Sequence, residues 1–247
     1  MKPFALNRPL LMVGVLLLAM IACMSNPAPT TTPTEPPVPV AVQDTAIPPT
    51  EAPTEPVAQQ YFTEEFDVAT GDWSEVVEKN AKEGDKSEAK LSIEDGRLKF
   101  DLGKSLIAYE FYDPYEYTNV RIDAHVENRG TNVNNILLVC RASDEGHYLV
   151  NIANSGLFAM YAFNASNGTY ARLADGGSKK IKSGKEFNDY SLVCKDRDLT
   201  LYINGSETRR YTDNQYVFRG GKIAVGVASE DQLPVKVEFD SVKISEP

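Results

Sequence analysis

The first place to look for chemistry is Glu83-Gly84-Asp85-Lys86-Ser87-Glu88, two carboxylates and a third in the spacing E-x-D-x-x-E. On a β-strand that spacing puts acids on one face, where a nucleophile and an acid/base can flank a glycosidic bond. Gly84, Lys86 and Ser87 lie between the acids where a strand would carry apolar residues, so the segment is expected to be a loop without catalytic use. Glu65-Phe66-Asp67 starts the same pattern on a strand-like stretch but has Thr70 in place of the second Glu. No catalytic residue is assigned. His125 and His147, the two histidines, show no zinc or nucleophile spacing to each other or to a cysteine. Both read first as surface residues.

A second kind of chemistry is binding. Arg141, His147, Tyr148, Asn151, Tyr161 and Tyr170 cluster in one meander of strands. Aromatic faces stack on sugar rings and planar polar groups hydrogen-bond hydroxyls, provided that both are exposed. The competing reading is structural: Tyr is a good strand former, and Arg141 with Asp144 can simply close a turn.

The elements that must position these residues are all strands. Tyr190–Tyr211 reads as three short strands with turns at Asp196-Arg197-Asp198 and Asn204-Gly205, the latter a strong hairpin signal. Tyr61–Asp67 reads as a first strand and Gly71-Asp72-Trp73 as a turn. Lys90–Ile93 and Arg97–Phe100 flank Asp95-Gly96. Ser105–Tyr112, Val120–Val126, Asn135–Arg141, His147–Ile152, Leu157–Phe163, Gly221–Ser229 and Val235–Ile244 follow. About a dozen strands without a convincing helix predict one all-β sandwich over residues 61–247.

What precedes it is an address and a spacer. Lys2 and Arg8 lead into an apolar run of 13 residues, Leu10–Ala22, too short to span a bilayer. Residues 1–22 are thus expected to be a signal peptide. Met24–Gln60 holds 10 of the 15 prolines and no Lys or Arg, a composition that favours a disordered, extended linker over residues 23–60. Fully extended, its reach is on the order of 100 Å. The formal charge of −10 with no basic stripe excludes nucleic acid as a partner.

Two resemblances sharpen this reading. Met20-Ile21-Ala22-Cys23 resembles the lipobox of bacterial lipoproteins, with Met20 where Leu is usual. It implies an acylated (palmitate-bearing) Cys23 as a membrane anchor and a location on the extracytoplasmic face of a bacterial membrane, at the cell surface. The order F-x-x-x-F-x-x-x-x-G-x-W, D-G-x-L, V-C-R-x-x-D-E-G-H-Y, L-V-C-K, L-T-L-Y-I-N-G and V-E-F-D-S-V, from Tyr61 to Glu246, resembles the concanavalin A-like lectin/glucanase superfamily. Within it the likeness is to laminin-G-like modules and 3-keto-disaccharide hydrolase-like domains. The implied fold is a two-sheet antiparallel jelly roll, and Arg141, Asp144 and Tyr148 match an Arg-x-x-Asp-x-x-x-Tyr/Phe pattern of such members. With Cys23 acylated, Cys140 and Cys194 remain as an even pair, and the resemblance implies cysteines at both places, hence a disulfide. No cofactor is expected beyond a structural calcium ion, for which Asp67, Asp72 and Asp240 on the first and last strands are the candidates. The expected function is a surface-tethered, non-catalytic glycan-binding module, monomeric as a domain. A structural or protein-interaction domain with a cell-surface protein partner is the alternative, and a glycoside hydrolase-like enzyme the third.

Overall fold

A computed structural model describes residues 59–247. The expected signal peptide, Cys23 and nearly all of the expected linker lie outside the described residues.

Fifteen strands form: β1 Phe62–Glu64, β2 Trp73–Lys79, β3 Ala89–Glu94, β4 Arg97–Leu102, β5 Leu106–Tyr112, β6 Val120–Asn128, β7 Asn135–Ser143 and β8 Gly146–Ala153. The chain continues with β9 Leu157–Asn164, β10 Thr169–Gly177, β11 Phe187–Lys195, β12 Asp198–Ile203, β13 Ser206–Thr212, β14 Lys222–Ala228 and β15 Val235–Ser245. They make a two-sheet antiparallel jelly-roll sandwich. The first sheet runs β13-β12-β11-β6-β15-β4-β3 with β1 added to β15, and the second runs β10-β9-β8-β7-β14-β5-β2. The two C-terminal strands slot into the middle of the two sheets, β15 between β6 and β4 and β14 between β7 and β5.

Period-2 alternation builds the core. Leu98, Phe100 and Leu102 of β4, Ile122, Ala124 and Val126 of β6, and Leu138 and Cys140 of β7 point between the sheets with Met160 and Val225. The hairpin turns follow the residues that tolerate positive φ: Asp95 (57°) with Gly96 (68°), and Asn204 (48°) with Gly205 (75°). The Cys140–Cys194 disulfide joins β7 to β11 and so ties one sheet to the other.

The first strand is shorter than the sequence suggests. Phe66 turns to φ 54° and buries its ring, at 1% exposure, which ends pairing after Glu64. Trp73, expected in a turn, instead opens β2.

Candidate binding face

The register fixes what the outer face of the second sheet presents. One row across it pairs Tyr170 with Phe163 and Phe163 with His147. The next pairs Arg172 with Tyr161, Tyr161 with Leu149, Leu149 with Val139, Val139 with Ala224 and Ala224 with Phe111. A third runs from Asn151 through Leu137 and Gly226 to Tyr109 and Val76. His147, Asn151, Tyr161 and Tyr170 therefore share one face, separated from the sandwich core by the sheet itself.

That face has its own apolar cluster, in which Tyr109, Leu137, Val139, Leu149, Ala224 and Ala228 are buried and Val76, Phe111, Tyr161 and Tyr170 pack against them. Gly226 makes room for it: a Cβ there would meet Tyr109 Cδ1 at 2.8 Å. The hydroxyl of Tyr170 stands beside that of Tyr109, although four strands lie between β10 and β5. In a flat sheet those strands would be about 24 Å apart, so the sheet curves over this face and makes it concave.

Its aromatic groups are interlocked. The His147 ring lies against Phe163 (5.0 Å between centroids) and meets Tyr170 edge-on at 5.9 Å, and Tyr161 meets Tyr170 edge-on at 6.2 Å. Arg172 stands over the Tyr161 ring at 5.8 Å and pairs with Asp175 at 3.1 Å. Burial lowers the His147 pKa to about 4, so its ring is neutral at pH 7. Burial raises the Glu78 carboxyl, and the opposing charge on it is Lys86. Burial also raises Tyr170 to about 12.

Arg141 and Tyr148 do not belong to the face, which corrects the sequence expectation. Tyr148 neighbours His147, so alternation turns it inward, where it is 1% exposed. Its hydroxyl donates to Asp213 Oδ2 at 2.5 Å and accepts from the Phe218 N–H at 3.0 Å. Arg141 sits at a bulge between Cys140 and Ser143 with φ 57°, and the added residue turns its side chain inside. There it donates to the carbonyls of Thr118 and Phe218, both at 2.9 Å, and is 2% exposed.

Asp240 pairs with Arg97 at 3.3 Å, Asp67 and Asp72 lie in the loop before β2, and the described residues hold no cluster of three His, Cys, Asp or Glu suited to a metal. Asp85 of the E-x-D-x-x-E stretch caps a single 3-10 turn, Lys86–Glu88, by accepting from the Ser87 N–H. That stretch is outside any strand, as its composition suggests.

The outer face of the first sheet is different in kind. Arg97 binds Glu127 at 2.6 Å and Glu238 at 2.7 Å, Arg129 binds Glu127 at 2.8 Å, and Arg121 binds Asp123 at 2.6 Å. His125 Nδ1 lies 2.6 Å from Asp189 Oδ1 while its ring stacks on Phe187 at 4.7 Å. These arginines are paired with carboxylates, and Arg97 and Arg121 also stand over the rings of Phe187 and Tyr202 at 5.3 and 5.1 Å.

At one end of the sandwich, Phe66, Trp73, Leu91 and Leu98 line a cavity of about 260 Å³ together with Glu75 and Glu110. These two glutamates are direct cross-strand partners on β2 and β5. Burial, then the charges of Glu75 and Asp113, raise Glu110 to about 7.

Sequence reasoning missed Tyr109, Phe111, Phe163, Arg172 and Glu78. The available signal was alternation: Phe163 is two residues from Tyr161, and Tyr109 and Phe111 two apart on β5.

Solved structures with this architecture include a carbohydrate-binding module from Bacillus subtilis, with TM-score 0.53 and 11% identity over 71% of this chain and 96% of its own. A Bacillus licheniformis β-glucanase aligns with TM-score 0.59 and 11% identity, over 76% of this chain and 99% of its own. A Bacillus subtilis protein with a galectin-like fold gives TM-score 0.59 and 10% identity, over 75% and 94%. At such identities the likeness is one of fold. A search of curated proteins gives no match. Residues 62–245, the strands of both sheets, are matched as a whole by the model of the 3-keto-alpha-glucoside-1,2-lyase-like domain, and the chain belongs to that family.

Proposed function

We propose that this domain is a non-catalytic glycan-binding module, held outside a bacterial membrane by acylated Cys23 and the linker, and that the glycan lies on the concave face of the second sheet. The observation that carries this reading is the contrast between the two outer faces. One carries a network of Arg–carboxylate ion pairs, whereas the other presents Tyr161 and Phe163 with Asn151 and Arg172 among them, Tyr170 and His147 packing against these rings. Aromatic faces with a few planar polar groups are what a sugar ring needs. The fold neighbours, a carbohydrate-binding module and glucanases among them, accord with this. On that face the charge that acts on Glu78 is Lys86, not the second carboxylate that two-acid glycoside cleavage uses.

Native gels containing neutral polysaccharides, mixed-linkage β-1,3-1,4-glucan included, test it. Wild-type protein is expected to be slowed in at least one of them, and Tyr161→Ala to weaken that retention roughly five- to twentyfold, about 1–2 kcal/mol. No retardation across the panel overturns the reading and brings forward the protein-interaction alternative. The family match favours a second reading, an enzyme acting on a 3-keto-glucoside. Release of product from such a glucoside by wild-type protein would establish it.

A further inference from the structure

Two polar atoms on the concave face, Tyr109 Oη and His147 Nε2, are shut off from water; His147 Nε2 has no hydrogen-bond partner, and Tyr109 Oη has only an off-geometry contact with the Tyr170 hydroxyl. Folded proteins avoid such atoms because burial removes their water and returns nothing. Tyr170 is the side chain next to both, and Phe163 also lies against the His147 ring at 5.0 Å. Tyr170 meets the His147 ring edge-on at 5.9 Å, and its hydroxyl stands beside that of Tyr109 without proper hydrogen-bond geometry. Tyr170 belongs to β10, an edge strand that pairs with β9 alone and carries a register shift between Arg172 and Ala174. Such a strand is the part of a sheet that moves at least cost.

We propose that Tyr170 is a displaceable cover, and that the ligand moving it aside is an uncharged sugar unit whose hydroxyls then satisfy Tyr109 Oη and His147 Nε2. This rests on the glycan-binding reading above. The ligand is uncharged because the covered ground offers no fixed positive charge: its floor is Leu137, Val139 and Ala224, and Glu78 is close enough to Tyr109 and Tyr170 to act on both. His147 is held neutral by its burial. Glu78 would repel an anion seated beside Tyr109 and Tyr170.

The chain's two histidines make the test self-controlled, since the His125 side chain is 38% exposed. The full chain, kept in detergent, is treated with diethyl pyrocarbonate, and modification of each histidine is followed by mass spectrometry. In Tyr170→Ala the His147 rate is expected to rise at least fivefold while His125 stays at the wild-type rate, which also reports an intact fold. Tyr170→Phe keeps the ring and should leave His147 slow. In gels containing mixed-linkage β-1,3-1,4-glucan, Tyr170→Ala should bind at least threefold tighter, and Tyr109→Phe at least threefold weaker. An unchanged His147 rate in Tyr170→Ala overturns the proposal. So does a loss of glucan retention like that of Tyr161→Ala, which would make Tyr170 a stacking platform. If the His147 rate rises and neither wild type nor Tyr170→Ala is retained by any polysaccharide, the cover stands and the sugar as its occupant falls.

Discussion

Tyr148 and Asp213 form the tightest polar contact inside the sandwich. The Asp213 carboxylate is partly desolvated, which alone would raise its pKa. The Tyr148 hydroxyl and the backbone N–H groups of Gln215, Val217 and Tyr216 outweigh this and hold it below the usual range. Tyr148→Phe leaves both the carboxylate and the Phe218 N–H short of a partner, and should cost about 1–3 kcal/mol in denaturant unfolding, with glycan retention unaffected. A loss of binding at unchanged stability would return Tyr148 to the binding face. His147 and Tyr148 are adjacent, so on a strand they cannot both face out, and that much was legible in the sequence. The position of Arg141 was not, because a one-residue bulge reverses every expectation of alternation beyond it.

At the scale of elements, the hairpins and central strands were legible because their turns carry Asp-Gly and Asn-Gly and their apolar residues alternate cleanly. β2 and β10 were not. β2 turns Glu75 inward beside Trp73 and Val77, which breaks its apolar pattern, and β10 changes register between Arg172 and Ala174. The Glu75–Glu110 pair makes β2 sensitive to pH. Glu110 titrates higher folded, about 7, than the ~4.3 of an unfolded chain. The stability it gives is full below about pH 4.3 and is lost as pH rises through 7. Unfolding free energy should therefore fall by about 1–2 kcal/mol between pH 5 and 8, less than the full shift implies because the group is only half-buried. Glu110→Gln should flatten that slope, and an unaltered slope in this variant would assign it to other groups. The disulfide acts between elements too. Its 54-residue separation predicts that replacing both cysteines by alanine lowers stability by about 4 kcal/mol. A change under 1 kcal/mol in denaturant unfolding would show that the apolar core holds the sheets together unaided.

For the whole molecule, the proposed arrangement is a receptor face carried on a tether, and the tether is testable apart from the face. Cys23→Ser should move the protein from the membrane fraction to the soluble one, while a variant that stays with the membrane would show that something other than the acyl group holds it. The segment that enters the domain is held at a defined place. Tyr112 and Tyr117 donate their hydroxyls to the carbonyls of Gln59 and Gln60 at 2.8 and 2.7 Å, Phe62 packs on Tyr112 at 4.8 Å, and β1 pairs three residues with β15, from Phe62–Ile244 to Glu64–Val242. Because β1 lies off the continuous run of its sheet, a pull arriving along the chain at Gln59 loads two hydroxyls and a three-residue ladder first. In the proposed arrangement those contacts act as a mechanical fuse: they can part and lengthen the leash while the disulfide-tied sheets, and the face they support, keep their shape under drag.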